Sequence, residues 1–239
     1  MNEHYKRYRD WKGWNAQAFG ALDFESERYF AAEMGRAGIL SLKGLNVLEI
    51  GFGNGAFAVW CKSAGAQYVG VEAIPELVEA ARRAGVEAYE SGEEEFALAK
   101  KAGSLALIVA FDVFEHLALR ELEAVLLRCR DWLAPGGILV ARVPSGDSPF
   151  ARATQYGDLT HRLVLGSLAV RQIAFNAGLE VKAVRRPAFP IGGFGMVTKV
   201  RRLLVLAARS ACHRFITLVL MGGGLPVLTP NMIFVLRRP

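Results

Sequence analysis

Three glycines at alternate positions, Gly51, Gly53 and Gly55, close an apolar run and open a helical one. The run before them, LNVLEI (45–50), has the length and composition of a fully buried strand, and Ala56–Ala64 has helical periodicity. A strand that turns through glycines straight into a helix begins a βαβ unit, and such units build a parallel sheet with helices on both faces. In that architecture the turn lies at the carboxyl edge of the sheet, where ligands bind. Glycine lets the backbone take positive φ and approach a ligand closely. A second strand, QYVGVE (67–72), ends in Glu72, 21 residues after Gly51. That offset suits an acid accepting both hydroxyls of a ribose. Loop, strand, helix and spaced acid together point to an adenosine-containing ligand.

The alternation continues along the chain. Strands are predicted over Val86–Glu90, Leu105–Phe111, Ile138–Val143, Leu179–Val184 and Met232–Arg237. Helices are predicted over Pro75–Ala84, Leu119–Leu133 and Ser167–Ala177, and Pro135-Gly136-Gly137 reads as a turn. Four units follow: an N-terminal helical lid (1–40), a core (41–186), a basic amphipathic insertion over the active site (187–230) and a last core strand (231–239). In the lid, Tyr5, Tyr8, Trp11, Trp14 and Phe19 either shield the ligand from water or pack on the sheet edge.

Composition narrows the class. The chain is 52% hydrophobic and 22% charged, enough to bury a full core. Its three cysteines, Cys61, Cys129 and Cys212, form no CxxC pair, so neither a metal nor a disulfide framework is expected. Widely spaced free cysteines fit a reducing cytosol. The N-terminal sequence has no apolar signal core, and Arg209, His213 and Arg214 interrupt the longest apolar stretch, 203–221. A cytoplasmic protein is expected, at most resting on the inner face of the membrane.

Gly51-x-Gly53-x-x-Ala56 also fits a dinucleotide loop. Glu49, two residues before the first glycine, counts against it, because a carboxylate there suits a cation better than a pyrophosphate. The segments VLEIGFGNG (47–55), VGVE (69–72), FDVFEHL (111–117), LAPGG (133–137) and ILVARV (138–143) stand in order. With them the chain resembles the class I S-adenosylmethionine-dependent methyltransferases. The string Gly157-Asp158-Leu159-Thr160-His161 is similar to one in bacterial methyltransferases associated with cell-envelope polysaccharide genes.

The resemblance implies a Rossmann-like α/β fold with seven strands in the order 3-2-1-4-5-7-6, strand seven antiparallel. It implies S-adenosyl-L-methionine as cofactor and S-adenosyl-L-homocysteine as product. The loop Gly51-Phe52-Gly53-Asn54-Gly55 would pass beneath the methionine part, and Glu49 would orient its amino group. Glu72, followed by Ala73, would accept the ribose hydroxyls. Gly92 and Glu93 would border the adenine. Phe111 and Asp112 would end strand four against the cofactor with His116 nearby, unless His116 only makes a structural hydrogen bond.

Methyl transfer rests mainly on alignment, which can supply roughly 7–11 kcal/mol. A hydroxyl acceptor also needs a base, worth about 10²–10⁴-fold. Asp112-Val113-Phe114-Glu115 is not the Asn/Asp-Pro-Pro-Tyr pattern of amino-nitrogen methylation, and no cysteine follows a proline. Oxygen or activated carbon remains. In the polar loop 144–161, Asp158 and His161 stand three apart, as in a carboxylate–imidazole pair with His161 as base or hydroxyl ligand. Alternatively, Asp158 caps a helix and His161 packs in its first turn. The expected acceptor is a hydroxyl of a cell-envelope glycan or glycolipid. A quinone or small phenol is the alternative, as is an inactive cofactor-binding partner subunit.

The formal net charge is +6, yet residues 1–180 carry a net −4 and residues 181–239 carry ten basic residues and no acid. A helix is predicted over 197–221. Lys199, Arg201, Arg202, Arg209 and His213 fall on one half of its wheel, and Leu204, Ala207, Ala208, Ala211, Phe215 and Leu218 on the other. It is a lid packing its apolar face on the domain, a helix on an anionic membrane, or a clamp for an anionic soluble substrate. Nucleic acid is a poorer partner, because few aromatics interleave with the basic residues.

Overall fold

A computed structural model describes residues 8–14, 19–93, 98, 102–220 and 226–239. In chain order the main elements are α1 (Tyr8–Trp11), α2 (Phe24–Arg36), β1 (Asn46–Ile50), α3 (Ala56–Ser63), β2 (Gln67–Glu72), α4 (Pro75–Arg83) and β3 (Glu87–Glu90). Then come β4 (Leu105–Phe111), α5 (Leu119–Trp132), β5 (Leu133–Pro144), α6 (Arg152–Tyr156), α7 (Ser167–Asn176), β6 (Glu180–Arg185), α8 (Met196–Leu220) and β7 (Asn231–Arg237). The strands form one sheet in the order β3-β2-β1-β4-β5-β7-β6. β7 is antiparallel to both neighbours and the other pairings are parallel, as the resemblance implies.

Side chains alternate across the pleat and divide the core in two. Leu48, Ile108, Leu139 and Phe234 pack against α5 and α7 on one face. Val47, Val109, Val140 and Ile233 pack against α2, α3 and α4 on the other. Burial on both faces explains why the central strands read as continuous apolar runs. Asp23 caps α2, accepting from Ser26 N at 2.6 Å.

Two local readings are corrected. Pro135-Gly136-Gly137 lies inside β5, in a register break opposite Leu105–Leu107. Its glycines exchange backbone hydrogen bonds with Arg238, so the end of β7 extends the strand through the expected turn. The loop 144–161 contains a 3₁₀ turn (Pro149–Ala151) and α6.

The insertion leaves β6 and enters β7 at the cofactor edge, as topology requires. Its helix is inverted relative to the lid reading. Arg202 is the buried residue of α8, while Leu204, Phe215 and Leu218 are 67%, 64% and 77% exposed. Arg202, Arg209 and His213 turn to the domain side together with Leu206 and Ile216, Arg201 is exposed, and the apolar face looks to solvent. The cause is α2, which presents Glu25 to Arg202 Nη2.

Candidate active site

The carboxyl ends of β1, β2, β4 and β5 border a cavity of about 350 Å³, within the range of small-molecule sites. Gly51, Gly53 and Gly55 take φ of 71°, 54° and 79°, values that L side chains rarely adopt. A Cβ on Gly51 would collide with Val113, and one on Gly55 with Phe19. The loop is therefore glycine for conformational and packing reasons together. Gly51, Phe52, Gly53 and Asn54 form cavity wall, while Gly55 serves as N-cap of α3.

Two buried carboxylates face this loop. Glu49 accepts from Tyr68 Oη at 2.6 Å. Burial, partly offset by that bond, pushes its pKa up to about 8. Glu72 accepts from Gly53 N at 2.9 Å and Ala73 N at 2.7 Å. Burial raises it too, and the backbone donors oppose the rise. A buried acid with a raised pKa gains most from an ammonium or hydroxyl donor arriving as ligand. The pair thus fits the amino group and ribose of S-adenosylmethionine. Ala73, Phe111, Asp112 and His116 join the wall as expected. Gly92 and Glu93 are not on it. Glu93 is exposed and lies 3.6 Å from Arg82, and Ser91 is the wall residue of that loop.

Trp14 and Lys12 complete the near wall. Trp14 carbons would stand 3.2 Å from a Cβ on Gly53, and Phe19 packs edge-on to Phe52 with centroids 5.9 Å apart. Trp11 is exposed. Tyr5 lies outside the described residues, as does the Tyr8 side chain.

A histidine cluster stands beyond Asp112. The 3₁₀ turn Phe114–His116 follows β4, and the Glu115 carbonyl accepts from Arg162 N and Leu163 N, pinning the later loop to it. Thr160 Oγ1 donates to Asp158 Oδ1 at 2.5 Å and meets His116 Nδ1 at 2.9 Å. One hydroxyl carries one proton, so with Thr160 donating to Asp158 it is His116 Nδ1–H that donates to Thr160 Oγ1. Burial, then repulsion from His161, lowers the His116 pKa and keeps the ring neutral. The two rings meet edge to face with centroids 4.8 Å apart.

The expected Asp158–His161 pair lies at the edge of ion-pair reach, and each group makes shorter contacts elsewhere. Asp158 turns back on Thr160 N at 3.0 Å and pairs with Lys12 at 3.3 Å. His161 Nδ1 instead contacts the Gln155 carbonyl at 2.8 Å, with Nε2 4.0 Å from Asp158 and 3.9 Å from Glu115. Residues 158–160 lie in a bend and turn rather than a helix. His161 is absent from the cavity wall and His116 is on it.

Glu115, His116 and His161 offer one ligand atom each, all within 4.8 Å of one another, a set that could hold a divalent ion. The expectation of no metal came from cysteine spacing, which cannot see a trio assembled from two loops. Sequence reasoning also missed Lys12, Thr160 and Arg142. Arg142, from β5, binds both Asp112 oxygens through Nε and Nη2 and lies 5.3 Å over the Phe111 ring. A lone arginine inside the apolar run ILVARV was the available signal.

A methyltransferase-domain family model matches residues 24–184, two thirds of the chain. The chain belongs to the methyltransferase-domain family. Among curated relatives, this methyltransferase is 31% identical over 105 residues to a ubiquinone biosynthesis O-methyltransferase of Xanthomonas oryzae pv. oryzae. The match covers 42% of this chain and 43% of that protein, so it spans less than half the relative's length. Among solved structures, a SAM-dependent methyltransferase from Archaeoglobus fulgidus superposes with a TM-score of 0.63 at 18% identity, covering 99% of this chain and 100% of the other. One from Thermotoga maritima gives 0.59 at 18% identity, covering 99% and 98%. These two likenesses concern the fold alone.

Proposed function

We propose that this methyltransferase O-methylates a hydroxyl of a lipid-linked cell-envelope glycan or glycolipid at an anionic membrane face. The methyl donor is S-adenosylmethionine. When bound it supplies a methyl group on a sulfonium, whose bond electrons stay with sulfur to leave S-adenosylhomocysteine. Gly51, Phe52, Gly53, Asn54, Glu49 and Glu72 hold it. The observation that carries hydroxyl chemistry is His116: a neutral imidazole, its tautomer fixed by Thr160 and Asp158, on the wall of the cofactor cavity. Its Nε2 accepts the acceptor's proton as oxygen takes the methyl. His161, the first choice from sequence, serves as positioning residue, holding the His116 ring edge-on. The lipid linkage is supported by the outward apolar face of α8.

A second reading, a prenylated phenol or quinol acceptor, is favoured by the ubiquinone-biosynthesis relatives. One assay separates the two. The protein is incubated with trideuteromethyl donor and either a glycolipid extract or a prenylated catechol. Label in a sugar methyl ether supports the first reading, label in the catechol the second. Label in neither rejects both.

A further inference from the structure

A second cavity, of about 800 Å³, lies between α8, the end of β6 and residues 226–231. It is separate from the cofactor cavity but adjoins the same sheet edge. Asn231, on its wall, pairs with Pro144, two residues, or about 6.6 Å, beyond Arg142 on the cofactor wall.

Its lining is one-signed. Arg36, Arg185, Arg186, Arg209 and Arg214 contribute, with His213, and no acid joins them among the described residues. Phe150, Phe189, Leu206 and Val227 supply apolar wall. Glu33 takes one nitrogen of Arg185, at 2.7 Å, from beneath. Nε and Nη2 of Arg185 are buried with no hydrogen-bond partner, and a buried guanidinium nitrogen without an acceptor is costly. Burial, then the charges of Arg185 and Arg186, lower the Arg36 pKa, and Glu33 offsets only part of that fall, the sign of crowded cations.

The helix closing the cavity is turned for a bilayer. Leu206, Arg209, His213 and Ile216 line it, while Val197, Leu204, Phe215 and Leu218 on the opposite side are 64–85% exposed. At 1.5 Å per residue, the 25-residue α8 lays an apolar stripe about 37 Å long. Arg202 anchors it to Glu25 and the Pro190 carbonyl, so it lies along the surface.

We propose that this cavity binds the phosphodiester headgroup of an anionic membrane lipid, with the outer face of α8 in the acyl layer. The guanidinium groups complement the phosphate, and Phe150 and Phe189 flank the glycerol or prenyl segment next to it. This names the lipid contact of the membrane reading above and rests on that reading. It also places the membrane surface one strand away from the cofactor cavity, where a lipid-linked hydroxyl must enter.

The test is flotation with phosphatidylcholine vesicles, with and without phosphatidylglycerol, without methyl donor. Wild-type protein should bind the anionic vesicles at least about tenfold better, and the preference should shrink in salt. The Arg209→Gln/Arg214→Gln variant should lose the anionic preference, and Leu204→Glu/Phe215→Glu should lose binding to both vesicles. Unchanged donor binding by calorimetry verifies that each variant is folded. If the arginine variant keeps the preference while the apolar variant loses binding, the headgroup site is wrong and the membrane reading stands. If wild-type protein binds neither vesicle, both fail. Stabilisation by inorganic phosphate without vesicle binding assigns the cavity to a soluble anion and overturns the lipid proposal. Methyl transfer is measured separately, so none of these outcomes bears on it.

Discussion

His116 and Asp158 are joined through one hydroxyl, that of Thr160, which lies 2.9 Å from the imidazole and 2.5 Å from the carboxylate. The bridge fixes which ring nitrogen of His116 bears the proton. Thr160→Val keeps the shape and removes the bridge. Turnover should fall about 10–100-fold with little change in donor affinity, and about 10²–10⁴-fold in His116→Gln. The His116 pKa is lowered in the fold, so the unfolded chain binds its proton more tightly. Stability from the neutral ring is complete above about pH 6.5 and is lost as pH falls through the folded value. The acid limb of kcat/KM should therefore lie below 6.5, and His161→Ala, which removes a repelling neighbour, should move it upward. An unmoved limb in His161→Ala would sink the positioning role.

Glu49 titrates on the other side of neutrality. Its pKa of about 8 means that the ligand-free protein holds it largely protonated at pH 7. A raised carboxylate favours the fold fully below its unfolded value, about 4.5, and that contribution is lost as pH rises through 8. An ammonium ligand reverses the preference and drives the proton off. Donor affinity should rise between pH 6.5 and 8.5. Calorimetry in buffers of different ionisation enthalpy should show net proton release, absent in Glu49→Gln. Affinity flat across this range would exclude Glu49 as the ammonium partner.

Asp112 is the one described non-glycine residue at positive φ, 57°, and its carboxylate is clasped by Arg142. Asparagine tolerates that backbone and keeps one acceptor; valine tolerates neither. Both groups are partly exposed, so the ion pair itself contributes about 1 kcal/mol. Asp112→Asn should cost about 1 kcal/mol in urea denaturation, and Asp112→Val about 2–3. Equal costs would show that backbone strain plays no part here.

The strands were legible because buried parallel strands are near-continuous apolar runs, their order only through the family resemblance, and the glycine loop because its conformation excludes other residues. Glu49 and Glu72 were legible through their offsets from that loop. The histidine cluster was legible only in part. His116 and His161 are 45 residues apart in sequence, and their meeting depends on backbone bonds from Glu115 to residues 162 and 163, which no residue type announces. The orientation of α8 was not legible. A helical wheel gives two faces but not which one meets the domain. Glu25, remote in sequence, decided that here.

That decision makes Arg202 the residue on which α8 depends. It is 6% exposed, donates to the Pro190 carbonyl at 2.7 Å and to Glu25, and its guanidinium lies 3.9 Å from the Phe194 ring centroid. Charged hydrogen bonds of this kind contribute about 1.5–3 kcal/mol each. Arg202→Ala leaves no buried acid stranded, because Glu25 is largely exposed. The loss should therefore stay local. Hydrogen exchange should accelerate across residues 196–220, at least about tenfold, while the core strands keep their protection and the melting temperature shifts by only a few degrees. Arg202→Lys keeps the charge but not the fork, and should fall between. A global loss of protection in Arg202→Ala would show instead that α8 is part of the cooperative core.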